Sequence, residues 1–457
     1  MPAPEKDDGT IPNRPWRTAL NLTALGAVVV IVVLYSGIGA CSFQVLDYAL
    51  KHNSFLKDLM EYPWPLAYGK TGPRDLPAPL ATYIAFYLPS ALVGKILGWN
   101  AANFFSIVWA ILGIYLAVLW FLRLVGTTSF LYGMLFLFFG GLDLLGWELI
   151  NGHFFPNVAH RTLDYWLLYG TRTNPAVHAS IGDIIWPYGS NMTFITQGIH
   201  HVLPGWLIVL MVMYQVVRQR SAANLIFLWS AAPLGSAFVA LGMLPYLPVC
   251  IYETRGKHLF SFQNMVSAPV LLGISGLFFL SNKAEYPAGW LWEFQDLTKS
   301  WPFLLLFYLV EFGIYAAFCP VFLTDPRSQL RRIWWWVSIA CLLALPWYRL
   351  GAFCDLTSKG AVPSLLVFQV YLATSMRDAK ARWERYQVRV LVCLLLLGAL
   401  TGANELARGM SHGLKMPPPS ARVAHINDLK PKNVAAQLYG DFDSFFWKYL
   451  AKSSQLH

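Results

Sequence analysis

The chain has 457 residues, of which 56% are hydrophobic and only 13% charged, with a mean hydropathy of +0.47. Soluble domains carry about a quarter of their residues as charges, so this composition argues against a soluble enzyme and for a polytopic membrane protein. The formal net charge of +10 lies in short Lys/Arg loops between apolar segments, which reads as orientation in a bilayer, with membrane lipids and no nucleic acid as partners.

In chain order, residues 1–17 are polar and end on Arg14 and Arg17, a cytoplasmic N-terminus by the positive-inside rule. Residues 18–40 carry no charge and are long enough to cross a bilayer, too long for a cleaved signal peptide. A polar loop follows at 41–75, with Asp47, His52, Asp58, Glu61 and the Trp64-Pro65 step. Apolar segments then run over 76–98, 101–122 and 128–149, the last interrupted by Gly140-Gly141-Leu142-Asp143. A second loop, 150–190, holds His153, His160, Asp164, His178 and Asp183. The segment 193–217 ends on Arg218 and Arg220, and 224–252 is broken by Pro233, Pro245 and Pro248, which predicts a kinked helix. Segments at 261–280, 301–323, 333–347, 363–376 and 390–403 complete the set. The expected fold is an all-α integral membrane protein of about eleven to thirteen transmembrane helices, spanning 18–405. The tail, 406–457, is read as extramembrane, with an amphipathic helix over 441–449.

Two basic loops, one with Arg327, Arg331 and Arg332 and the other with Arg377, Lys380, Arg382, Arg385 and Arg389, mark the cytoplasmic side. That places the loops at 281–300 and 348–362, and the C-terminal tail, outside, and the loops at 41–75 and 150–190 are read as outside as well. The parity closes only if one segment between 128 and 149 turns back part-way, and the glycine-interrupted Asp143 segment is the candidate. Six cysteines show no paired spacing and read as buried thiols; Cys41 and Cys354 are the pair that a disulfide on the outer side would join.

Among candidate functional residues, Asp47, His52 and Asp58 come first. A carboxylate beside a membrane helix can serve as general base or hold a divalent ion against phosphate; the plain alternative is a solvated loop. The stretch from His52 to Asp58 fits about two helical turns, with Trp64 as an interfacial anchor. Asp143 is an acid among apolar residues, where ionisable groups face a cavity or a partner. The run from Trp186 to Thr193, followed by Gln197, His200, His201 and Pro204, is polar for a helix entrance. Asn191, Gln197 and His201 are candidate binding groups, with Gln197 and His201 on one helix face and the adjacent histidines pointing apart. Arg349, Asp355, Lys359 and Pro363 fill a short outer loop in which a cation can hold a phosphate. Neither a Walker loop, a Rossmann glycine pattern, G-x-S-x-G nor H-E-x-x-H occurs, which lowers the weight of ATP-driven transport and common hydrolase chemistry.

The stretches LDYALKHNSFLKDLMEYPWPLAY, FGGLDLLG, WPYGSNMTFITQGIHHVLPGWL and GAFCDLTSKGAVPSLLVF, in this order, resemble a group of bacterial multi-pass proteins. That group is similar to the GT-C class of glycosyltransferases, which use polyprenyl-phosphate sugars. The resemblance implies a bacterial inner-membrane protein that transfers a sugar from a polyprenyl-phosphate donor to a glycan or glycolipid acceptor outside. It also implies a carboxylate of the first outer loop as catalytic or metal-binding group. Asp47 matches that position best, Asp58 is the second choice, and Asp143 would be the later acid, so a divalent ion would sit on Asp47 and Asp143. Where that group has an Arg after the acid at Asp355, this chain has Thr357-Ser358-Lys359, leaving a phosphate role there to Lys359. A transporter or flippase of lipid-linked substrates and a non-catalytic assembly protein are the alternatives. Convergence of Asp47, Asp58 and Asp143 on one outward cavity would favour the enzyme, a midplane site the transporter, and scatter the assembly protein.

Overall fold

The computed structural model describes residues 15–45, 48–71, 76–151, 186–283, 287–294, 296–319, 332–351, 354–379, 381–429 and 438–451. Asp47, the histidines and acids of 152–185, Arg327, Arg331 and Lys380 lie outside the described residues. In chain order the helices are α1 (Pro15–Leu34), α2 (Asn53–Glu61), α3 (Leu88–Leu97), α4 (Trp99–Val125), α5 (Phe130–Phe138), α6 (Asp143–Asn151) and α7 (Asn191–Gln219). There follow α8 (Leu225–Ala231), α9 (Ala237–Met243), α10 (Tyr246–Thr254), α11 (Ala268–Leu280), α12 (Leu297–Tyr308), α13 (Arg332–Ala344), α14 (Asp355–Gly360), α15 (Val362–Asp378) and α16 (Arg382–His412). Two antiparallel strand pairs, β1 (Ala67–Thr71) with β2 (Leu76–Pro79) and β3 (Ala288–Trp290) with β4 (Tyr348–Leu350), are the only sheet among the described residues.

This is a multi-pass integral membrane protein. Among the described residues six helices are long and apolar enough to cross a bilayer, and the pair α9–α10, bent by 48°, makes a seventh if counted as one span. Among the described residues the other apolar stretches form shorter helices. Residues 76–98 are not one helix: β2 pairs with β1, and the helix begins only at Leu88. The 128–149 segment breaks as expected, α5 ending at Phe138 and α6 starting on Asp143. At the other extreme α16 runs 31 residues, to His412, about 46 Å at 1.5 Å per residue and longer than a hydrocarbon core. The helix therefore runs on past Glu405 into the stretch read as tail. Its 441–449 stretch forms only a short π-turn at Phe446–Leu450. All six cysteines are free thiols, so Cys41 and Cys354 are not joined.

The local chemistry accounts for the helix ends. Gly98 (φ 86°) turns α3 into α4, and Gly126 (φ 79°) closes α4 with its N–H on the Leu122 carbonyl at 2.8 Å, as a left-handed glycine cap does. Arg377 and Arg218 donate to the last α4 carbonyls, those of Val125 and Leu124, placing cations at the negative end of the helix dipole. Ser190 caps α7 by accepting from Thr193 N–H at 3.1 Å. At the centre lies α15, buried at every position from Val362 to Ser375. A helix apolar all round belongs inside a bundle, and its few polar side chains are paired: Gln369 with Asn191 and Ser364 with Tyr246. The long α16 packs by way of glycines. A Cβ at Gly398 would collide with the Tyr315 hydroxyl and the Gly140 carbonyl, and one at Gly409 with the Tyr35 carbonyl. Small residues are what let membrane helices approach backbone to backbone.

The tail does not trail away. Lys415 N–H bonds to Cys41 O at 2.7 Å, Trp99 Nε1 donates to Pro418 O at 2.8 Å, and Lys57 Nζ to Val423 O at 2.7 Å. Beyond them Ala81 N–H reaches Leu438 O at 2.8 Å, and Gly440 N–H reaches Pro79 O at 2.7 Å. The C-terminal segment thus lies across the first loop.

Candidate functional site

The site is built where α2, the Tyr83–Tyr87 turn and the first half of α7 meet. α7 leaves helical geometry at Gly198 (φ −156°, ψ 32°) and contains Pro204. Asn191 bonds to the Phe136 carbonyl and Trp206 rests on the Phe136 ring, a pair of contacts that the bend allows. Sequence spacing put Gln197 and His201 on one face, but the break lies between them, and half-buried Gln197 does not share a regular face with His201.

Just past the break, three imidazoles gather. The His200 and His201 rings are 3.7 Å apart between centroids, and His52 lies 4.5 Å from His200. Neighbouring helix positions ordinarily diverge by about 100°; here the adjacent rings lie together, contrary to expectation. His52 Nδ1 is bonded to the Tyr87 hydroxyl, and Tyr83 meets His201 edge-on at 5.0 Å. His201 donates from Nδ1 to Gly235 O at 2.9 Å, which leaves Nε2 as an acceptor when the ring is neutral. His200 Nδ1 meets no hydrogen-bond partner among the described residues although the side chain is buried. The ammonium groups of Lys51 and Lys359 are near enough to act electrostatically on His200 and His201. Lys359 is held in place by Asp355 on α14. The arrangement is a buried cluster of hydrogen-bonding aromatic rings on which two ammonium groups act, a chemistry suited to an anionic polar group.

The sequence candidates divide into three sets. His52, His201 and Lys359, with Asp355 behind it, come together here. Asn191 is elsewhere: its amide donates to Phe136 O at 2.5 Å and Gln369 Oε1 at 3.1 Å, so it seats α7 on α5 and α15. Trp64 closes α2 by donating to Leu59 O at 2.7 Å. Asp143 belongs to a second, deeper group. Fully buried, it accepts from Thr401 Oγ1 at 3.0 Å, and with buried Glu311 it acts on Tyr315. Glu311 sits in a π-turn (Leu309–Gly313) after α12, a feature frequent at functional sites.

Asp58 faces away from the imidazoles. Its carboxylate is fully buried and accepts from Tyr68 Oη at 2.7 Å, from His425 Nδ1 at 2.7 Å and from Ile426 N–H at 3.0 Å. Burial pushes its carboxyl above the usual carboxylate range, with the Tyr68, Ile426 and His425 donors pulling the other way. Asp58, Asp143 and the imidazoles therefore do not form one constellation. Because the folded value is raised, folding takes up a proton, and stability from this group falls as pH rises from the ordinary value of about 3.9 through the raised one. The advantage in thermal stability of the wild type over Asp58→Asn, measured in detergent against pH, is expected to shrink across that window. An advantage that grows with pH would contradict it.

Sequence reasoning missed Tyr83, Tyr87, Glu311 and His425, and it read His200 only as part of a polar helix entrance, pointing apart from His201. Glu311 had a readable signal, a lone acid in the apolar run 301–323. Among the described residues no group of three or more His, Cys, Asp or Glu side chains is arranged to hold a metal ion, so no step is drawn through a divalent ion at Asp143. No family model, no curated protein and no solved structure matches the chain.

Proposed function

We propose that the protein is a membrane-embedded glycosyltransferase of GT-C type, moving a sugar from a polyprenyl-phosphate donor to a glycan or glycolipid on the non-cytoplasmic face. The observation that carries this reading is the imidazole pocket formed by His52, His200 and His201 beside Lys51 and Lys359. It lies on the stretch that begins with Asp47 and that the resemblance singles out. In this reading a base of the 47–52 stretch takes the proton from the acceptor hydroxyl. The oxygen bonds to the anomeric carbon as the carbon–phosphate oxygen bond breaks, and the polyprenyl phosphate leaves with the bonding electrons. Lys359 and Lys51 stabilise the charge developing on that phosphate. Asp58 is not the base here, because three donors already occupy its oxygens.

The test is made in the native membrane. With Asp47→Asn, made and folded to normal levels, one envelope glycan is expected to lose a sugar while a lipid-linked donor accumulates. Unchanged glycans in Asp47→Asn and His52→Ala alike would remove the transferase reading. A transporter of lipid-linked substrates is the second reading, favoured by the buried acids Asp143 and Glu311 at helix breaks, as in discontinuous transporter helices. It predicts that Asp143→Asn and Glu311→Gln block substrate movement while the imidazole variants do not.

A further inference from the structure

His52 closes a π-helical turn, Tyr48–His52, that runs directly into α2. Together they make fourteen residues, a length at which an isolated helix is only marginal in water. Two neighbours hold it. On one side His52 meets Tyr87 and His200. Six residues on, about 240° further round at 100° per residue, Asp58 meets the C-terminal segment. Three donors from two elements converge on that carboxylate: Tyr68 Oη from β1, and His425 Nδ1 and Ile426 N–H from the tail. The contact is reinforced along the C-terminal half of α2. Lys57 Nζ donates to Val423 O at 2.7 Å. The His425 ring stacks on Tyr62 at 5.3 Å, with its Nε2 3.6 Å from Glu61.

We propose that Asp58 and His425 form a clamp by which the C-terminal segment fixes α2, and with it the place of His52 in the imidazole pocket. Both are positioning residues: they touch no reacting atom, and they act through His52. Without the His425 imidazole the buried carboxylate keeps Tyr68 and Ile426 on Oδ2 but loses the donor on Oδ1, and a buried charged oxygen left without its donor is costly. α2 then loosens at the end remote from the pocket, and the His52 ring loses its register against Tyr87 and His200. The effect on transfer rests on the reading above; the effect on α2 does not.

The experiment uses the full chain in nanodiscs, as wild type, His425→Ala and His425→Gln, the last keeping an N–H donor. Hydrogen exchange is followed by mass spectrometry, and transfer is followed from a panel of radiolabelled polyprenyl-phosphate hexoses and pentoses. In His425→Ala, amides of residues 48–62 are expected to exchange faster while those of α4, α7 and α16 stay as in wild type. The kcat is expected to fall roughly 10- to 100-fold with KM for the donor little changed, and His425→Gln to recover most of both. Unchanged exchange over 48–62 in His425→Ala would overturn the clamp, and so would faster exchange across the whole chain, which marks a purely global stabilising role. If exchange behaves as expected but the wild type transfers nothing, the clamp on α2 stands and the transferase reading falls.

Discussion

Replacing His200 with Ala is expected to lower sugar transfer by about two to three orders of magnitude, the range for losing a group that handles protons or bonds the reacting centre. Its cost in stability should be small by comparison. The ring lies within 4.5 Å of His52 and 3.7 Å of His201, yet its Nδ1 bonds to nothing among the described residues. A buried nitrogen without a partner costs the fold about 1–3 kcal/mol; a ligand that bonds to it would recover that cost. Single-turnover transfer and thermal unfolding, measured side by side on His200→Ala and His200→Gln, separate the two effects. Loss of transfer with an unfolding midpoint at or above that of the wild type is the expected pattern. Equal loss of both would make His200 a packing residue.

The second large effect is on the bundle itself. Gly398→Val puts two methyl groups where the Tyr315 hydroxyl and the carbonyls of Gly140 and Gly141 already lie. Backbone cannot yield as a flexible side chain can, so the cost is expected to reach about 3 kcal/mol or more. The α5–α6 break carries Asp143, whose partner Thr401 is one turn of α16 beyond Gly398. Displacing that helix therefore also strips the buried acid of its hydroxyl donor. A drop of several degrees in the detergent unfolding midpoint for Gly398→Ala, with Gly398→Val failing to yield folded protein, is the expected series. Wild-type behaviour of Gly398→Val would mean that α16 does not cross here at close range.

The membrane class and most breaks were legible in the sequence because hydropathy and glycine or proline interruptions are local signals. The Gly140–Gly141 break ahead of Asp143 and the proline-broken 224–252 segment are examples. What was not legible depends on chain segments far apart. Asp58 read as a candidate base because a polar loop is expected to be wet. Its burial follows from His425 and Ile426, 367 and 368 positions later, and no local pattern announces that contact. Likewise the expectation that His200 and His201 diverge followed their helix positions, whereas it is their rings that meet, 3.7 Å apart between centroids. Tyr87 carries no signal at all until the fold sets it beside His52. The strand pair at 67–79 was hidden by its apolar composition, which hydropathy alone reads as the start of a helix.

The central claim is that the phosphate of a lipid-linked substrate is held at the imidazole pocket. Photo-crosslinking with a photoreactive polyprenyl phosphate, carrying no sugar and so independent of the donor's identity, tests it directly. Label is expected on peptides from 48–61, 83–87, 198–201 and 355–359, competed away by unlabelled polyprenyl phosphate and strongly reduced in Lys359→Ala. Label confined to α5, α6 and the turn around Glu311, indifferent to Lys359→Ala, would contradict the claim and place the substrate at the buried acids instead.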